Sequence, residues 1–166
     1  IQGAALIATY AASKAFNIAG LRCAVAVFGS EELRLRFNGL APHLRGGIGS
    51  LGLAATALAW REGQAWLDQI LEVLDGNRRL VDEFVRDHLP GVRHRAPEAT
   101  YLAWLDCRDL ELPKAPQEFI LERGRVALSD GAAFGPGGAG FVRLSFATSR
   151  PILTDILERM RTALAG

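Results

Sequence analysis

The chain has 166 residues, is 49% hydrophobic and 22% charged, and carries a formal net charge of +1. That share of apolar residues can bury a core and excludes a disordered chain, and the near-neutral balance argues against a nucleic-acid platform. The apolar run Ala4–Ala8 is too short to span a bilayer and no basic stretch precedes it, so no membrane span or signal peptide is expected.

Residues 1–10 (IQGAALIATY) read as a buried strand or its lead-in, and Cys23–Phe28 (CAVAVF) as a second strand stopped by Gly29-Ser30. Ser30 before Glu31-Glu32 is an N-cap with acids in the first turn, opening a short helix to about Phe37. Residues 38–50, with Pro42 and the glycines at 46–49, read as a loop. From about Leu51 to Leu89 the pattern is helical, with Leu67, Ile70, Leu71, Leu74, Val81, Phe84 and Val85 on one face. Pro90-Gly91 ends it. Thr100–Leu105 reads as a strand, and Pro116 opens a helix over about Gln117–Arg125. Val126–Leu128 and Phe141–Ala147 read as short strands flanking the glycine-rich segment Gly131–Gly140. Pro151 opens a last helix with Ile152, Ile156 and Met160 on one stripe and Leu153, Leu157 and Leu164 beside it. This mixture of strands and helices is α/β or α+β.

Cys23 and Cys107 lack CxxC spacing, which predicts reduced thiols and a cytoplasmic protein. His43, His88 and His94 show no paired-ligand spacing, so no metal site is expected. The glycines of Gly131–Gly140 are not followed by GK[ST], and their simplest role is a turn between two strands. Ile1 opens the chain directly into an apolar segment, which reads as part of a longer protein.

The cations are less ordinary. Seventeen are arginines and only two, Lys14 and Lys114, are lysines. Lys14 sits among Ala11, Ala12, Ala15 and Phe16, and no acidic residue precedes Glu31. Such surroundings are expected to desolvate the amine, favouring the neutral nucleophile that a Schiff-base lysine requires. If the segment up to Arg22 is a turn, the amine could meet a carbonyl and the guanidinium a phosphate on one ligand. The alternative is a lysine and an arginine that snorkel out of an alanine-rich loop. Arg143 interrupts the apolar strand FVRLSFA on the face opposite Val142 and Leu144. It either meets an anionic ligand, closes an internal salt bridge, or lies on a face open to water.

SKAFNIAGLR (Ser13–Arg22) resembles the lysine motif of class I/II aminotransferases, the fold-type I enzymes that use pyridoxal 5′-phosphate. GAAFGPGGAGFVRLSFATSR (Gly131–Arg150) resembles the C-terminal motif of the same family. LDGNRRL (Leu74–Leu80) and PEATYLAWLD (Pro97–Asp106) are most similar to the branch of cystathionine β-lyase type C–S lyases. The resemblance implies the C-terminal portion of such an enzyme, with residues 1–62 ending the cofactor-binding large domain and 63–166 forming the small domain. It implies that Lys14 forms the internal aldimine and moves the Cα proton, that Arg22 binds the cofactor phosphate, that Ser13 belongs to the cofactor-binding residues, and that Arg143 holds the substrate carboxylate. Ala11 departs from the family, which often has a phosphate-binding serine there. The implied chemistry is transamination of an amino acid. Its alternative is β-elimination to pyruvate, ammonia and a thiol, and both need Lys14 and Arg143. A homodimer is implied for the full-length protein. From another class stands a non-catalytic folded module, which would form no yellow complex with pyridoxal phosphate.

Overall fold

The computed structural model describes residues 5–165, and the chain divides into two compact units, Ile1–Ile70 and Leu71–Gly166. The division falls inside a helix, beyond the boundary at 62 read from the sequence.

In the first unit, β1 (Ile7–Tyr10) and β2 (Val25–Phe28) pair antiparallel, from Ile7 opposite Phe28 to Tyr10 opposite Val25. Residues 1–4 of the expected first strand lie outside the described residues. The first strand was expected to be buried, yet Ile7 and Tyr10 are exposed, and so are Val25 and Val27 of the second. Apolar composition marks a surface suited to packing, and a two-stranded ribbon has too few neighbours to cover one. Helix α1 (Glu31–Asn38) begins as its residues dictate: Ser30 Oγ accepts the Leu33 N–H at 3.4 Å, and Glu31 and Glu32 occupy the first turn. The loop expected over 38–50 contains a short helix, α2 (Pro42–Arg45), opened by Pro42 in the first turn where its missing N–H costs nothing.

The single helix expected over 51–89 is two helices, α3 (Ser50–Glu62) and α4 (Gln64–His88). The break is Gly63, whose N–H donates to the Ala59 carbonyl at 2.9 Å. A side chain there would collide with the Phe16 ring. Phe16 also stacks on Trp66, ring centres 5.8 Å apart, so the aromatic ring of the Lys14 segment is wedged against the α3–α4 corner.

The second unit is a two-layer sandwich. Strands β3 (Arg93–His94), β4 (Leu102–Asp106), β5 (Ser129–Asp130) and β6 (Phe141–Ser145) form an antiparallel sheet in the order β3-β4-β6-β5. Alternation puts Ala103, Leu105, Val142 and Leu144 on one face, where α4, α5 (Pro116–Gly124) and α6 (Arg150–Leu164) supply Val81, Phe84, Ile120, Leu153, Leu157 and Met160. The expected strand at Val126–Leu128 is instead β5, displaced to Ser129–Asp130. Val126 is buried in the helix-packed core and needs no ladder for it. On α6 the core stripe runs through Leu153, Leu157 and Met160, whereas Ile152 is exposed. On α4 likewise, Val81, Phe84 and Val85 are buried but Leu71 is exposed.

Asn77 ties α4 to the end of β6. Its buried Nδ2 donates to the carbonyls of Phe146 at 2.9 Å and Thr148 at 2.8 Å. Asn77→Ala orphans both acceptors and opens a gap, so urea unfolding should show a loss of about 2–3 kcal/mol with an unchanged m-value.

Candidate active site

Tyr10 and Val25 are paired, so residues 11–24 form a loop whose two ends are pinned together. Within it the Phe16 N–H donates to the Ala12 carbonyl and the Ile18 N–H to the Ser13 carbonyl, each at 3.0 Å. A 3₁₀ turn over Ala19–Leu21 follows, closed by the Arg22 N–H on the Ala19 carbonyl at 3.2 Å. The segment between Lys14 and Arg22 is thus the turn that the sequence reading required. Ala12 and Cys23 are buried, Ser13 is half-buried, and Phe16 wedges the loop in place.

Lys14 and Arg22 are both exposed. The expected desolvation of Lys14 is not found. Ala11 and Ala15 are themselves exposed and too short to wall off a four-carbon stem. Among the described residues no carboxylate lies within ion-pair distance of Lys14, whereas Lys114 is bound to Glu122 at 2.7 Å. Arg22 holds a left-handed backbone, φ 47° and ψ 53°, which disfavours any side chain with a Cβ. Beside the loop a pocket of about 380 Å³ is lined by Tyr10, Ala11, Val25, Val27 and Trp60. The loop therefore offers a primary amine, a guanidinium and a hydroxyl at one end of the β1–β2 ribbon. That donor set suits a ligand with a reactive carbonyl and an anionic group.

Arg143 lies on β6 on the face away from the core, as its alternation with Val142 and Leu144 predicts. Its neighbours across the ladder are Trp104 on β4 and Ser129 on β5. Nη2 donates to Ser129 Oγ at 3.3 Å, and the guanidinium carbon lies 4.2 Å from the centre of the Phe134 ring. No carboxylate among the described residues pairs with it, so of the alternatives left open the internal salt bridge is not present. The Arg143 side chain is half-buried and oriented, and among the described residues it has no counter-ion.

The glycine-rich segment is a connection between antiparallel neighbours, as expected, but it also positions an aromatic ring. Asp130 caps a 3₁₀ turn over Gly131–Phe134 by accepting the Ala132 N–H at 3.0 Å. Gly135, at φ 125°, reverses the chain, and a side chain on Gly138 would collide with the Gly131 carbonyl. The outcome is Phe134 laid over Arg143. Sequence reasoning assigned Phe134 no role, and the phenylalanine between small residues in GAAFG was the available signal.

Two other groups that could do chemistry do not fit a site. Burial, reinforced by Asp106, pushes the Cys107 thiol up to about 12, which leaves it protonated and inert. Arg108, gripping Asp106 through two side-chain hydrogen bonds at 2.8 Å, pushes that carboxyl down to about 2.

The family model described as "Aminotransferase class I and II" matches residues 2–160. The cystathionine beta-lyase of Corynebacterium glutamicum is 39% identical over 93% of this chain and 41% of its own. The cystathionine beta-lyase PatB of Bacillus subtilis is 35% identical over 93% of this chain and 41% of its own. Among solved structures, cystalysin from Treponema denticola, whose crystals contain pyridoxal 5′-phosphate, superposes with a TM-score of 0.89 at 33% identity. The match covers 96% of this chain and 41% of cystalysin. The chain therefore spans about two fifths of the length of the relatives it matches. With a family model spanning nearly all of its residues, the chain belongs to the class I and II aminotransferase family.

Proposed function

We propose that the full-length protein is a pyridoxal-phosphate-dependent enzyme of amino-acid metabolism. The observation that carries this reading is the pinned loop on which Lys14, Ser13 and Arg22 all lie at the end of the β1–β2 ribbon. Pyridoxal phosphate, when bound, supplies an aldehyde carbon for amines and a ring that accepts the electrons left at Cα. The donor set fits it. Lys14 would supply the amine that holds the cofactor covalently and, as a free amine, would be the base for the Cα proton. Arg22 would hold the phosphate, and Ser13 would add a hydroxyl. Arg143 grips the substrate carboxylate. In this reading residues 1–62 belong to the cofactor-binding domain and 63–166 to the small domain.

Between the two outcomes, β-elimination at a carbon–sulfur bond is supported by the relatives named cystathionine beta-lyase at 35% identity and above. Transamination is supported by the aspartate aminotransferase of Pyrococcus horikoshii at 26%. Product analysis of the full-length protein with L-cystathionine separates them. Pyruvate, ammonia and a thiol in equal amounts, without any added 2-oxo acid, mean elimination. Turnover that requires a 2-oxo acid acceptor means transamination. No turnover and no visible absorbance with pyridoxal phosphate would leave a non-catalytic module.

The exposed apolar side chains at Leu40, Leu44, Ile48, Leu51, Leu53 and Leu58 support a homodimer. The buried free thiols of Cys23 and Cys107 support a cytoplasmic location.

Arg22 carries a distinctive expectation. Arg22→Gly relieves the left-handed backbone by about 1 kcal/mol, which offsets the added chain entropy of glycine. Its thermal stability without cofactor should equal or exceed the parent's, while equilibrium dialysis shows pyridoxal phosphate retained tenfold or more weakly. Arg22→Ala, which keeps the Cβ and its strain, should lose retention equally while its stability stays near the parent's.

A further inference from the structure

We propose that Phe134 is a positioning residue for substrate binding, a platform that orients the Arg143 guanidinium without occupying the N–H groups that receive a carboxylate. The inference rests on the assignment of Arg143 as the carboxylate clamp.

A guanidinium has two faces and five in-plane N–H donors, and only the donors can bind a carboxylate. Phe134 takes a face, with the guanidinium carbon 4.2 Å from the ring centre. Ser129 takes a single donor, at 3.3 Å. The rest of the in-plane edge has no carboxylate partner among the described residues. An acidic partner would fix the side chain equally well but would compete with substrate for the same donors. An aromatic face fixes it through the ring quadrupole and leaves the fork open.

The platform is itself held. Trp104 meets Phe134 edge-on, ring centres 5.7 Å apart and planes at 78°. Trp104 in turn stacks on Phe141 at 5.5 Å, and Arg108 covers the Phe141 ring at 4.7 Å. The turn that carries Phe134 is itself close-packed, Gly131 lying against Gly138 and Phe141. Yet Phe134 is 52% exposed, far more than a core residue of its size needs to be. Its placement is better accounted for by Arg143 than by the core. Pre-ordering a long arginine stem spares the rotamer entropy that binding would otherwise cost.

The test compares Phe134→Leu, Phe134→Tyr, Arg143→Lys and the double variant Phe134→Leu/Arg143→Lys in the full-length enzyme. The readouts are KM and kcat for an amino-acid substrate, and the inhibition constant of propionate, which has a carboxylate but no amine. Phe134→Leu should raise KM and the propionate constant about tenfold, with kcat within threefold and the melting temperature nearly unchanged. Phe134→Tyr, which keeps the ring face, should restore both constants to within twofold. The double variant should bind no worse than Arg143→Lys alone, because the platform has nothing left to orient. Phe134→Leu with parental constants, equal losses in the leucine and tyrosine variants, or additive losses in the double variant would each overturn the platform while leaving the clamp standing. Parental constants in Arg143→Lys would overturn the clamp itself, and the platform with it.

Discussion

Lys14→Ala in the full-length protein is expected to reduce turnover by four or more powers of ten and to remove the visible absorbance of bound pyridoxal phosphate. The size follows from what the proposed function assigns to this amine, which would be both covalent anchor and proton carrier; water replaces neither at comparable geometry. Stability should stay within about 0.5 kcal/mol of the parent, because Lys14 is exposed and makes no ion pair among the described residues. The loop is held by Ala12, Phe16 and the Tyr10–Val25 pair, none of which the substitution touches. Reduction with borohydride followed by peptide mapping locates the anchor directly. A modified Lys114 would overturn the assignment, and its ion pair with Glu122 argues against that outcome.

Arg143→Lys should lower kcat/KM for amino acids by roughly two to four powers of ten, about 3–5 kcal/mol, with the visible spectrum unchanged. Lysine keeps the charge but cannot present two parallel N–H groups, and an ammonium makes a poorer partner for the Phe134 face. The structure sharpens the stability side of this prediction. Arg143 closes no ion pair among the described residues and its face of the sheet is not the core face, so thermal melting should move little. A fall in melting temperature with kcat/KM preserved per folded molecule would make Arg143 a structural residue instead.

Elements whose causes are local were legible in the sequence. Ser30 before two glutamates, Pro116 and Pro151 each mark a helix start, because a cap or a fixed φ acts within one turn. The face of Arg143 followed from alternation alone. What escaped had distant causes. The helix breaks at Gly63, where Phe16, far back in the chain, leaves no room for a side chain, and no window of residues reveals that. The exposure of Lys14 escaped for a related reason: alanine neighbours report the size of the groups nearby but not whether anything covers them. The stack of Phe134 on Arg143 required knowing that a glycine-rich turn could be compact enough to lay a ring across the strand it leads into.

The pairing of Tyr10 with Val25 has a consequence for how tenaciously a ligand is held. A molecule attached to Lys14 at one end and gripped by Arg22 at the other would be bound bivalently, because both residues ride on one loop whose ends are pinned. Linked sites of this kind present each other at effective concentrations on the order of millimolar or higher. Escape then requires both contacts to fail at once, so the dissociation rate is a product of two improbabilities. Severing either one costs the whole advantage.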